Sequence, residues 1–103
     1  MKNNLYIKKL VDSIAEHCKE LKKIYLISNK IDTNGELISF KLAIIADNSV
    51  ESSSELECRL YLNIDCELPF DLVIYREDEF EKLKCEIGTF AWKIRNSGTV
   101  LYG

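Results

Sequence analysis

The spacing of hydrophobic residues changes several times along the chain, and each change predicts a different element. Residues 4–23 place apolar side chains three and four positions apart, which predicts an amphipathic helix. Residues 23–31 are instead rich in β-branched and aromatic side chains, which predicts a strand. Asn34-Gly35 is a turn signal, and residues 37–46 have the composition of a second, buried strand. The two strands are therefore expected to pair as an antiparallel hairpin.

The second half of the chain continues the alternation of helices and strands. Residues 49–63 predict a short helix, which begins either at one of three consecutive serines or at Ser49. A third strand is expected at about 70–75, one long helix at 77–98 and a last short strand at 99–102. The apolar stripe of that long helix comprises Phe80, Leu83, Ile87, Phe90, Ala91 and Ile94. This order predicts a protein of the α/β class, a small mixed sheet with helices packed on it in one domain, 1–103.

Composition and charge narrow the class of protein. The chain has 103 residues, 47% hydrophobic and 30% charged, which is typical of a single globular domain. Its net charge of −3 and the absence of a basic face argue against nucleic acid as a partner. No apolar run reaches the roughly 20 residues of a membrane span, and the N-terminus lacks a signal-like hydrophobic segment. The four cysteines form no CxxC pair and so give little support to a zinc site. We expect them to be reduced thiols in a cytoplasmic protein.

The last third of the chain, FDLVIYREDEFEKLKCEIGTFAWKIRNSGTVLYG, combines a strand carrying an Asp, an amphipathic helix, and a Gly before a strand ending in Leu-Tyr. With the order of elements, it resembles the minimal nucleotidyltransferases of the DNA polymerase β superfamily. Within ISFKLAII, Ser39 and the hydrophobic tail are similar to the catalytic strand of that family, which reads Ser-Asp-x-Asp. The resemblance places Phe40 and Leu42 at two catalytic acids and Asp71 at the third.

These replacements bear directly on the chemistry. Nucleotidyl transfer uses carboxylates on neighbouring strands to hold divalent metals, and two acids at i and i+2 of a strand point to the same face. Phe40 and Leu42 offer no oxygen, so the resemblance implies that transfer has been lost. Because Mg²⁺ binds through one carboxylate when phosphates supply the other oxygens, Asp71 stays a candidate relic catalytic residue and Mg²⁺ ligand. The alternative is an Asp bonded to backbone or solvent near the end of the strand.

The phosphate-binding turn of the family is also altered. The resemblance places Ser28 at a Gly, Asn29 at a Ser and Lys30 at an Arg, which makes these three residues candidate nucleotide contacts. Glycine at such a turn lets backbone amides approach a phosphate closely, whereas Ser28 carries a Cβ. The competing interpretation is that these residues are exposed and polar without a ligand.

Three hypotheses of function follow. The first is a catalytically degenerate nucleotidyltransferase-like protein that acts as a binding or regulatory module toward another protein. The resemblance suggests a HEPN-type partner in a toxin–antitoxin pair. The second is an active nucleotidyltransferase that moves a nucleoside monophosphate to an acceptor, with Asp71 joined by substitute acids such as Asp32, Glu36 or Asp47. The third is a self-associating protein, because exposed edges of small sheets favour strand pairing.

Overall fold

A computed structural model describes the backbone from Lys2 to Gly103 and the side chains from Leu5 onward. This part of the chain forms four helices and one four-stranded mixed sheet. The α/β class expected from the sequence is therefore confirmed, as a mixed α+β domain. The elements are α1 (Lys2–His17), β1 (Leu21–Ile31), β2 (Leu37–Ala46), α2 (Ser53–Asn63), β3 (Phe70–Arg76), α3 (Glu77–Leu83), α4 (Phe90–Ser97) and β4 (Thr99–Tyr102).

The sheet has the strand order β3-β2-β1-β4. β1 and β2 form the expected antiparallel hairpin, β4 is antiparallel to β1, and β3 is parallel to β2. The hairpin turn is organised by Asp32, whose Oδ1 accepts hydrogen bonds from the amides of Asn34 at 2.8 Å and Glu36 at 2.9 Å. Gly35 supplies the positive φ of +79° that this turn requires. The turn chemistry thus fixes which residues of the two strands face each other.

The first helix is shorter than its apolar pattern predicts. α1 ends at His17 rather than at residue 23, and β1 already begins at Leu21. Cys18 and Leu21 continue the helical spacing although neither belongs to α1: Cys18 is 2% exposed in the connection to β1, and the partly buried Leu21 pairs with Ala46 in the sheet. The periodicity was therefore misleading because core contacts of two different elements happened to fall at helical intervals.

The prediction of one long helix at 77–98 is wrong, because the segment forms two helices, α3 and α4. α3 ends at Leu83, Gly88 has a φ of +92°, and Thr89 starts α4 by accepting a hydrogen bond from the amide of Trp92 at 3.1 Å. Ile87, which the helical stripe would bury, is 84% exposed. The left-handed Gly88 cannot belong to a continuous helix, and the hydroxyl of Thr89 caps the start of a new one, whatever the apolar spacing favours.

The second helix begins at the serine cluster, as one of the two alternatives predicted. Ser52 is its N-cap and accepts a hydrogen bond from the amide of Glu55 at 3.2 Å. A start at Ser49 is wrong. Leu56 and Leu60 are buried at 3% and 0% exposure and anchor the helix on the sheet.

We expect Ser52→Ala to lower the free energy of unfolding by about 1 kcal/mol, because it leaves an amide of the first helical turn without its acceptor. Ser54→Ala is the matched control, since Ser54 is exposed inside the same helix and alanine is the better helix former. Urea unfolding followed by circular dichroism measures both variants. Equal stabilities for the two would contradict a capping role of Ser52.

Two hydrophobic cores lie on the two faces of the sheet. On the first face α1 and α2 pack over residues that include Ile24, Leu42 and Ile44. On the second face α3 and α4 pack over a smaller set, Tyr25, Ala43, Ile45, Phe80, Ala91 and Ile94. The second core holds no buried residue of β2 before Ala43, so the end of that face nearest the hairpin turn is left to polar side chains. This uncovered end is where the candidate site lies.

Candidate functional site: a polar depression on the sheet

Polar side chains meet on the uncovered end of the second sheet face. The strand register pairs Ser28 with Lys41 and Lys41 with Asp71, which forms one row across three strands. Lys30 pairs with Ser39 in the neighbouring row. A depression of about 250 Å³ lies here, lined by Ser28, Asn29, Lys30, Ser39, Phe40, Lys41 and Asp71. The four residues that the sequence nominated, Ser28, Asn29, Lys30 and Asp71, are therefore brought together around one cavity.

An irregularity in β1 places Ser28 on this face. The register shifts between Leu26, which pairs with Leu42, and Ser28, which pairs with Lys41. Leu26 packs on the first core, so regular alternation would direct Ser28 toward that same core. The extra residue, Ile27, packs on the second core, and the bulge turns Ser28 toward Lys41.

Phe40 and Leu42 do not share a face with Asp71. They are 3% and 0% exposed in the first core, where the ring of Phe40 stacks on Phe70 at a centroid distance of 6.3 Å. Asp71 pairs with Lys41, whose side chain lies between theirs in the strand and points the other way. The three positions that the resemblance assigns to the catalytic acids therefore do not converge. Acids at residues 40 and 42 would lie under α1 and α2, away from Asp71.

The depression carries an excess of positive charge. Lys30 and Asp71 are exposed, and Lys41 is half-buried with its Nζ 5.1 Å from the centre of the Phe90 ring. Among the described residues, none of the ion pairs within 4.0 Å includes Lys30, Lys41 or Asp71. Two ammonium groups and two hydroxyls thus lie on one face with a single carboxylate, whereas Asn29 pairs with Phe40 and lines the depression from the other row. Such a set of donors suits an anion.

The substitute acids of the enzyme hypothesis lie elsewhere. Asp32 organises the hairpin turn through its two amide hydrogen bonds, and Glu36 belongs to the same turn. Asp47 Oδ1 accepts a hydrogen bond from the amide of Ser49 at 2.9 Å, and its Oδ2 lies 3.6 Å from Nζ of Lys22. These two interactions hold the pKa of the Asp47 carboxyl below its usual value. None of these acids lines the depression with Asp71. Within residues 5–103, no three His, Cys, Asp or Glu side chains are grouped so that they could hold a metal ion.

Sequence reasoning missed Lys41 as a site residue. The signal was present, because Ser39 and Lys41 alternate with the buried Phe40 and Leu42 and so must share the opposite face. What the sequence does not give is the parallel pairing of β2 with β3, which brings Lys41 beside Asp71. Lys41 is the centre of the row, with Ser28 on one side and Asp71 on the other.

The fold and the depression define a small mixed α+β domain with a cationic polar depression at one end of its sheet. Comparison of the chain with models of known families, with curated proteins and with solved structures found no match. In the described part of the chain, no helix has both the length and the apolar character that crossing a membrane requires.

Proposed function

We propose that this chain is a nucleotidyltransferase-like binding module that does not catalyse transfer and that its depression binds a phosphate-bearing ligand such as a nucleotide. One observation carries the proposal: Lys30, Lys41, Ser28 and Ser39 line one depression with a single carboxylate, that of Asp71, and no ion pair among the described residues includes either lysine or Asp71. Ammonium and hydroxyl groups are donors that phosphate oxygens accept.

The same geometry favours binding over catalysis. Two-metal transfer needs carboxylates from neighbouring strands on one face, and among the described residues Asp71 alone brings a carboxylate to the depression. Mg²⁺ is often held by one or two carboxylates together with substrate phosphates. Asp71 would then supply one ligand of a nucleotide-bound Mg²⁺, without the second metal that activates the attacking group.

The biological setting belongs to the same proposal and rests on the resemblance. A non-catalytic module of this kind would act in the cytoplasm by pairing with another protein, and a HEPN-type toxin–antitoxin partner fits the family that the sequence resembles. The alternative, an active nucleotidyltransferase, would need acids that converge with Asp71. Asp32, Glu36 and Asp47 are engaged in turns or line no common cavity with Asp71.

Calorimetric titration with ATP, GTP, CTP and UTP tests the binding. We expect Lys41→Met to weaken the binding of the preferred nucleotide at least tenfold, because a charge-assisted hydrogen bond contributes about 1.5–3 kcal/mol. Lys82→Met is the control, since Lys82 is exposed on α3 and does not line the depression. Failure to detect any binding at millimolar nucleotide would contradict the proposal.

The substitution Asp71→Asn gives a second prediction, in which the direction of the change in nucleotide affinity depends on Mg²⁺. Without divalent metal, removing this negative charge should tighten nucleotide binding, because the carboxylate repels the phosphates across the row from Lys41. With Mg²⁺ present, the same substitution should weaken binding, because a metal ligand is lost. Release of pyrophosphate from Mg-nucleotide that depends on Asp71 would instead support the active enzyme.

A further inference from the structure

The two edge strands of the sheet, β3 and β4, differ in whether another part of the chain covers them. At the β3 edge, the amide of Leu72 donates a hydrogen bond at 2.9 Å to the hydroxyl of Tyr61, whose ring stacks on Phe70 at 5.4 Å. A side chain of α2 thus covers the middle of that edge and satisfies one of its outward amides. At the opposite edge β4 is the last strand, and no described element pairs with its outer side. Its residues Val100 and Tyr102 are 48% and 40% exposed.

The β4 edge is short, at four residues, but carries no charged side chain or proline to prevent strand pairing. Edge strands are commonly protected by charged side chains, by proline or by a covering segment. β4 reads Thr-Val-Leu-Tyr, with no charge and no proline. No strand among the described residues pairs with its outward amide and carbonyl groups, so they can accept another strand. The geometry of these hydrogen bonds favours an extended segment as the occupant.

An apolar groove accompanies this edge. A cavity of about 510 Å³ lies between α1 and β4, with Ile7, Val11, Leu26 and Leu101 among its lining residues. Lys8 and Asp12 also line it and form an ion pair at 3.2 Å on the exposed side of α1. The groove lies on the first sheet face, so it is separate from the polar depression on the second face.

We propose that β4 pairs with the β4 strand of a second copy of this chain, antiparallel about a two-fold axis perpendicular to the sheet. Such an axis keeps both α1 helices on one face and joins the two four-stranded sheets into one. An uncharged strand meets its own copy without like-charge repulsion. The axis also reverses the order of residues along α1, so Lys8 of one copy faces the side that carries Asp12 of the other, and the groove rims are complementary in charge.

The state of association tests this proposal directly. Light scattering after size exclusion should show a mass that rises with concentration from 11.9 kDa toward twice that value. Val100→Lys and Val100→Glu should each weaken the dimer at least tenfold, because like charges then meet across the pairing strands. An equimolar mixture of the two variants should form the dimer again. Ile87→Lys is the control, because Ile87 is 84% exposed away from this edge and its change should leave the dimer intact.

Three results would overturn the proposal. They are a constant mass of 11.9 kDa up to millimolar concentration, a dimer that survives in both charged variants, and single variants that dissociate without forming a mixed dimer. Hydrogen exchange of the unaltered chain provides a test that needs no variant to fold. Amide exchange in Thr99–Tyr102 should slow as concentration rises, and exchange there that is independent of concentration would also overturn it.

Discussion

Replacing Phe40 and Leu42 together by aspartate should unfold this domain, although the resemblance places catalytic acids at those two positions. Both side chains are buried in the core under α1 and α2, at 3% and 0% exposure. Each large apolar side chain removed from a core costs about 2–5 kcal/mol, and a buried unpaired carboxylate adds several more. The sum is comparable to the whole stability of a typical domain, about 5–15 kcal/mol.

Ser39→Asp provides the matched control for this double substitution. Ser39 lies on the same strand but on the other face, where it pairs with Lys30 and lines the depression beside Lys41. We expect this variant to fold with a free energy of unfolding within about 1 kcal/mol of the unaltered chain, because its new charge is half-exposed and lines the depression with Lys30 and Lys41. Circular dichroism and urea unfolding compare the variants. A folded double variant that Mg²⁺ stabilises would show that residues 40 and 42 can face the depression.

The contrast between these two variants shows what the sequence determines about ISFKLAII. Strand β2 was predicted with its observed bounds, 37–46, and so was the hairpin that pairs it with β1. The sequence did not predict which face of the strand belongs to the site. A one-residue offset in matching a strand to a family pattern moves every side chain to the other face. The hydrophobic tail of the strand is buried on both faces, so it fits either register.

The candidate site was predicted in part. Ser28, Asn29, Lys30 and Asp71 were all nominated and do line one depression. Their meeting depends on two features that no local pattern encodes: the bulge in β1 and the parallel contact of β2 with β3. Both arise from packing between segments far apart in sequence, which local propensity does not describe. Lys41 was missed for the same reason.

Gly98 follows the last residue of α4, a position where glycine commonly adopts a left-handed conformation, but its role in this structure is different. Its φ is −75°, which any residue adopts, and its amide donates a hydrogen bond to the carbonyl of Ile94. A Cβ at this position would lie 2.6 Å from the oxygen of Ile94 and 3.3 Å from Cδ1 of Tyr25. Glycine is needed here mainly because a Cβ would meet the carbonyl oxygen of Ile94 in the last turn of α4 itself, and Tyr25 of β1 adds a second, milder contact.

We therefore expect Gly98→Ala to lower the free energy of unfolding by about 1–3 kcal/mol, the usual range for overpacking. The reduced entropy of the unfolded chain would favour alanine by only about 0.4–1 kcal/mol, so the contact decides the sign. Ile94 and Tyr25 belong to the second core, and neither can move without disturbing Phe80 or Ala91. Gly88→Ala is the informative comparison, because nothing lies within 4 Å of its added Cβ and its φ of +92° is the sole source of strain. Urea unfolding of both variants separates the two causes. A Gly98→Ala protein as stable as the unaltered chain would contradict the prediction, because the last turn of α4 and Tyr25 would then relax to accept the methyl group. A larger loss than for Gly88→Ala would show that the contacts with Ile94 and Tyr25 outweigh the strain of a positive φ.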